Sequence, residues 1–149
     1  MLTGIHPILT GELLAYLDAM GHSDAVLVAD ANFPAERLAN RVLVLPGLTA
    51  PHVLRAIRTV IPLDDAPALD LMASASGDRL PVQDELIAAA GAVGGNVRFL
   101  ERHAFYDITA EAFLVVRTGE TRIYGNALLR KGVVKTGPTP VSKRETPVA

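Results

Sequence analysis

The sequence contains no cysteine and no tryptophan. Without cysteine there is no disulfide framework, no thiolate nucleophile and no Cys-ligated metal. An excess of one charge is missing too: 14 Lys and Arg stand against 16 Asp and Glu, a formal net charge of -2. A nucleic-acid binder needs a concentrated surplus of Lys and Arg, and a polybasic membrane-surface protein needs the same, so neither class fits. No apolar run approaches the roughly 18 residues of a membrane span. The first residues, MLTGIHPIL, lack the basic start and long apolar stretch of a signal peptide. The expected protein is soluble and cytoplasmic.

The strong chemical signatures are absent as well. No G-x-G-x-x-G follows the first apolar run, no phosphate-binding loop of the G-x-x-x-x-G-K-[ST] type occurs, and no G-x-S-x-G elbow is present. His6, His22, His52 and His103 are scattered without metal-ligand spacing. No metal is therefore expected.

What is present is aliphatic. Half of the 149 residues are hydrophobic, only a fifth are charged, and the mean hydropathy is +0.30, yet there are just four Phe and three Tyr. A chain of this length makes one domain, which still leaves about 30% of its unfolded surface exposed. So many aliphatic side chains exceed what one core needs, and the excess suggests surface buried between subunits.

Periodicity divides the chain into short strands and helices. Thr10 to Met20 reads as a helix, with Thr10 as N-cap, Glu12 in the first turn, Leu13, Leu14 and Leu17 on one face, and Gly21 as the residue after its end. AVLVA (25–29) and RVLVL (41–45) are apolar strands, separated by a loop at DANFPA (30–35). Thr49 caps a helix reaching about Val60, and Leu69 to Ser74 is a third strand. After a turn at Gly77-Asp78, Pro81 opens a helix ending near Ala90, and Val97 to Leu100 is a fourth strand. FLVVR (113–117) and TRIYGN (121–126), joined by Thr118-Gly119-Glu120, read as a hairpin. The expected fold is a single α/β domain: a mostly parallel sheet flanked by helices, with a C-terminal antiparallel hairpin. Residues 135–149 carry three prolines and no periodicity, the pattern of a mobile tail.

Four groups of residues could carry chemistry. Gly21-His22 precedes the first strand and Asp30 follows it. Histidine suits proton transfer near neutral pH, and a carboxylate leaving a strand end can hold a substrate hydroxyl. Asn32, Phe33 and Pro34 extend that loop. Arg102, Phe105 and Tyr106 place cationic and aromatic groups together after the fourth strand, and Tyr124, Gly125 and Asn126 close the expected hairpin. Taken singly, the Arg102 group is equally explained by an amphipathic connection, and the others are more simply explained by a loop or a turn. Asp64-Asp65 read as a solvated loop between helix and strand.

Together, however, the pieces resemble one family, the ribose pyranase and fucose mutarotase group of sugar-anomer isomerases. The resemblance is carried, in order, by Gly21-His22, Asp24, Asp30-Ala31, Phe33-Pro34, Arg102 with Ala104-Phe105-Tyr106, Thr118-Gly119-Glu120, Tyr124-Gly125-Asn126 and Lys131-Gly132-Val133. It spans about residues 2 to 133 and is closer to the fucose branch, which has an arginine at the position of Arg102. Asn32 departs from that branch's usual histidine.

The resemblance implies a sugar mutarotase domain over 1–134, with His22 as catalytic proton donor and Asp30, Arg102, Tyr124 and Asn126 binding sugar. Asn32, Phe33, Tyr106 and Gly125 are further contributors. The implied reaction interconverts α and β anomers of L-fucose or a similar monosaccharide, without cofactor. The alternatives are a D-ribose pyranase exchanging pyranose and furanose rings, and a non-catalytic sugar-binding module. The resemblance also implies a ring-like homo-oligomer of about eight or ten subunits. One distance matters here: eight extended residues between His22 and Asp30 would separate them by about 26 Å, too far for one monosaccharide. Either the loops curl inward or two subunits share the site.

Overall fold

The computed structural model describes residues 1–136. The tail expected over 135–149 falls outside them except for its first two residues. Strand β1 (Ala25–Ala29) lies inside the sheet, and four of its five residues are buried. Its alternating side chains face two different layers: Val26 and Val28 join one apolar cluster, Leu27 and Ala29 the other. An apolar run without a polar face is what a strand covered on both sides requires.

The other strands are β2 (Val42–Leu45), β3 (Leu69–Met72), β4 (Val97–Leu100), β5 (Leu114–Thr118) and β6 (Ala127–Arg130), in the spatial order β2-β5-β1-β6-β3-β4. Pairs β1–β5, β2–β5 and β3–β4 are parallel, while β6 runs antiparallel to both β1 and β3. One face of this sheet is covered by α1 (Gly11–Ala19), α3 (Ala50–Arg58) and α4 (Pro81–Ala90), which deliver Leu13, Leu17, Val53, Leu54, Ile57 and Leu86 to the larger cluster. The other face carries the short α2 (Ala35–Leu38) and α5 (Arg102–Glu111), with Phe33, Ala35 and Phe105 in the smaller cluster. Burying each leucine contributes about 1.5–3 kcal/mol, so these stripes fix the three layers.

Local signals set the helix ends. The Thr10 side chain accepts from Leu13 N at 3.2 Å, as expected of an N-cap. Gly91 ends α4 in the left-handed region (φ 66). Gly21 does not play that part: α1 leaves its last turn through an extended Met20, and the positive φ falls at Ser23 (φ 66). The Asp24 carboxylate there accepts from Gly21 N at 2.8 Å, stabilising the turn without a left-handed glycine.

The C-terminal hairpin is corrected. Residues 121–126 form turns rather than a strand, and β6 begins only at Ala127. Strand β5 already has β2 on one side and β1 on the other, so it has no free edge for β6. The chain instead crosses the end of β1 and enters the slot between β1 and β3. Gly119 makes that crossing possible, because a Cβ at this position would stand 1.9 Å from the Pro46 carbonyl oxygen. The class and the mostly parallel sheet are as expected; the last strand is antiparallel but pairs elsewhere.

Candidate functional site

The parallel strands end together at one rim of the sheet, and antiparallel β6 starts there. In open α/β sheets this is where ligands bind, because chain leaving adjacent strands diverges and opens a crevice. Asp30 leaves β1 at this rim, Met72 closes β3, Arg102 follows β4 and Asn126 precedes β6. They border a cavity of about 240 Å³, whose lining also includes Asn32, Phe33, Tyr106, Ile123 and Tyr124. Seven of the nine site residues expected from the sequence are thus brought together.

Its polar centre is a fixed pair. Asp30 is 7% exposed and Asn126 2%. The Asn126 amide donates to Asp30 Oδ2 at 2.9 Å while its Oδ1 accepts from Asp30 N at 2.8 Å, and Asn32 N donates to Asp30 Oδ1 at 2.9 Å. Burial pushes the Asp30 carboxyl above its ordinary range, while the bonds from Asn126 and Asn32 pull the other way and leave the net shift upward. A buried carboxylate with further lone pairs facing a cavity is suited to receive hydroxyl protons.

Aromatic side chains form one wall. Phe33 meets Tyr106 edge to face at 5.7 Å and 80°, and meets fully buried Phe105 at 6.2 Å and 81°. Arg102 is exposed at the first position of α5, whose N-cap Glu101 accepts from His103 N and Ala104 N. Tyr124 adopts φ 61 and its hydroxyl accepts from Ala75 N at 3.1 Å, tying the loop before β6 to the loop after β3.

Gly125 does not line the cavity; it lets the loop close. A Cβ there would lie 2.8 Å from Glu120 Cγ and 3.1 Å from the Arg122 carbonyl. Buried Glu120 accepts from Arg122 Nε at 2.9 Å and Nη2 at 3.1 Å, and Arg122 also pairs with Glu85 of α4. The Arg122 guanidinium holds the Glu120 carboxyl below the usual range.

His22 lies elsewhere. It precedes β1, so the whole strand, about 16 Å at 3.3 Å per residue, stands between it and Asp30. The loops do not curl back to close that gap: Ser23 N is held by the Lys131 carbonyl at 2.9 Å, and Asp64 N by the Arg130 carbonyl at 3.0 Å. His22 is well exposed, and its Nε2 lies 3.0 Å from Asp64 Oδ1. Asp64 Oδ2 accepts from Ser23 Oγ at 2.6 Å, and Asp65 N donates to Oδ1 at 2.9 Å. These bonds, that of Ser23 first, hold the Asp64 carboxyl below its ordinary range. An ionised carboxylate only accepts, so the bonded Nε2 carries the proton and Nδ1 is left as the ring's second nitrogen.

Asp64 was read from sequence as a solvated loop residue. Its pairing with His22 spans 42 positions, and no local pattern announces it. Met72 and Ile123 were also missed, because an apolar side chain at a strand end or in a turn reads as core or as chance exposure.

Volume alone would not select this site. Clefts of about 320 and 460 Å³ lie beside α1 and under the N-terminal residues. In the first, the Lys131 ammonium is engaged by the Leu17 and Met20 carbonyls at 2.8 and 2.7 Å. The rim cavity is distinguished by convergent acceptors, donors and aromatic faces. At about 240 Å³ it is below the roughly 300–1,000 Å³ of drug-sized sites, which leaves room for a small ligand. Among the described residues no cluster of three His, Cys, Asp or Glu could hold a metal ion, and no helix is long and apolar enough to cross a membrane.

Comparison with known proteins decides the family. A model of the RbsD / FucU transport protein family matches residues 3–134. The chain belongs to that family. A fucose mutarotase of Danio rerio is 41% identical over 146 residues, covering 90% of this chain and 95% of its own. An L-fucose mutarotase of Haemophilus influenzae is 42% identical over 141 residues, covering 89% and 97%. Among solved structures, the fucose mutarotase from Streptococcus pneumoniae in complex with L-fucose superposes with a TM-score of 0.83 at 34% identity, covering 90% of this chain and all of the other. RbsD of Bacillus subtilis, complexed with D-ribose, has a TM-score of 0.71 at 23% identity, and shares the fold. Membership rests on the whole domain, since the match spans every strand of the sheet.

Proposed function

We propose that this protein is a monosaccharide mutarotase that interconverts the α and β anomers of L-fucose, or a closely similar sugar. The observation that carries the reading is the rim cavity, where the Asp30–Asn126 pair, Arg102, Tyr124 and an aromatic wall converge in a space of about one sugar ring. The mutarotases at about 40% identity support the choice of sugar.

The reaction suits these residue types. The anomeric O1–H gives up its proton, the C1–O5 bond breaks and the ring oxygen gains a proton. The open aldehyde end turns about C1–C2, and the ring closes on the other carbonyl face. Bond making and proton movement balance without redox chemistry, so an acid and a base held beside the anomeric carbon suffice. Buried sugar hydroxyls must all find partners. Asp30 accepts from them, Arg102 and Asn126 supply directional bonds, Asn32 lies on the same loop, and Phe33 with Tyr106 covers a ring face.

His22 performs the proton transfer. Asp64 holds Nε2–H, which fixes the tautomer and presents Nδ1 to the sugar. Because a strand separates His22 from Asp30 within one chain, the site is completed by a second copy: one subunit brings the cavity, its neighbour His22 and Asp64. The protein is therefore a homo-oligomer, and the surplus of aliphatic side chains is its interface. Its setting is the cytoplasm.

Polarimetry tests the activity. Freshly dissolved α-L-fucose relaxes to its equilibrium rotation faster with catalytic amounts of the protein, and D-ribose relaxes less steeply. Unchanged decay with every sugar tried would contradict the reading.

A further inference from the structure

The rim cavity is chemically two-sided. Asp30, Asn126 and Arg102 give it polar groups, whereas Met72 and Ile123 add aliphatic surface with no hydroxyl partner. Met72 is 4% exposed and its carbonyl accepts from the Gln83 amide at 2.8 Å, so the end of β3 is fixed. Ile123 is 66% exposed, in a turn where a polar residue would cost nothing.

That turn is rigidly built. Glu120 and Arg122 are bound bidentately, Arg122 is anchored to Glu85 on α4, and Gly125 fits where a Cβ would not. The Arg122 side chain is thereby drawn toward α4, while Ile123 next to it borders the cavity. An exposed isoleucine held on a sugar-sized cavity calls for an apolar group on the ligand.

We propose that Ile123, above the Met72 floor, is a specificity-determining residue that contacts the substituent on sugar C5 and selects a methyl over a hydroxymethyl group. The inference rests on the mutarotase reading and adds the basis of its preference for a 6-deoxyhexose. A methyl against Ile123 and Met72 removes apolar surface from water on both sides. A hydroxymethyl in the same place buries less apolar surface and finds no protein partner there. Hydrophobic contacts of this size discriminate by about 10- to 200-fold.

The test compares kcat/KM, from magnetisation-exchange NMR, on L-fucose, L-galactose and D-arabinose. These share one ring configuration and carry a methyl, a hydroxymethyl and a hydrogen at C5. Wild type is expected to prefer L-fucose to L-galactose by about tenfold or more. Ile123→Ser is expected to shrink that ratio to within about threefold, chiefly by slowing L-fucose, with D-arabinose little changed; Ile123→Leu is expected to keep the ratio. A ratio unchanged in Ile123→Ser, with exchange intact, overturns this inference alone. Wild-type protein inert on all three sugars overturns the mutarotase reading and this inference with it. Because Ile123 is exposed, the substitution removes no core packing, and matching thermal transitions verify folding.

Discussion

Asp30 separates binding from stability at the level of a single residue. An Asp30→Asn side chain keeps one carbonyl acceptor for Asn32 N or Asn126 Nδ2 and turns an amide toward the other. Because that amide then meets an N–H donor, folding is expected to weaken by about 1–3 kcal/mol. Exchange should drop on the order of 10²-fold, because the charged acceptor for sugar hydroxyls is gone. Denaturant titration beside an exchange assay measures both; intact exchange would remove Asp30 from the site. Asp64→Asn is a different case. The amide still reaches His22 but no longer demands Nε2–H, so kcat should fall about tenfold or more with KM nearly constant. A change confined to KM would contradict the positioning role. Most of the cavity was legible at this scale because Asp30, Asn32 and Phe33 sit in one loop, and Tyr124 and Asn126 in another. Asp64 was not, since its partner is 42 residues away and only the fold joins them.

The crossing between β5 and β6 decides the element scale. In sequence, TRIYGN reads as a strand, because only three residues with a central Gly separate it from FLVVR. What overrides that pattern is the sheet's occupancy: β5 is flanked on both edges, and Tyr124 takes a φ of 61 that no strand allows. Gly119→Ala should therefore be severely destabilising, by about 3 kcal/mol or more, because backbone rather than a flexible side chain stands in the way. A melting temperature within a degree or two of wild type would refute the packing described.

Acid tests the Glu120–Arg122 clamp. The folded-state value for Glu120 is lowered, so its contribution is fully present above the ordinary glutamate value of about 4.3 and is lost as pH falls through the lower folded value. Urea midpoints between pH 6 and pH 3 should decline on the acid side, and Glu120→Gln should flatten that decline while lowering stability at pH 6. Parallel curves for the two proteins would assign the acid sensitivity elsewhere. The start of α1 was read better than the crossing, since Thr10 acts through a neighbour one turn away.

For the whole molecule, the separation of His22 from the cavity is the dominant fact. A strand bonded on both sides keeps His22 at one end of the sheet and Asp30 at the other. Under the proposed function, the aliphatic surplus and the exposed His22–Asp64 pair share one explanation, a neighbour that completes the site. Co-expression of His22→Ala and Asp30→Asn chains tests this most directly. Each variant alone is expected to be nearly inactive in the fucose exchange assay. Random mixed assembly restores about a quarter of the sites, those where an intact His22 meets an intact cavity on the adjoining chain. A mixture as inactive as either parent would contradict the shared site and, with it, the mechanism proposed for this protein.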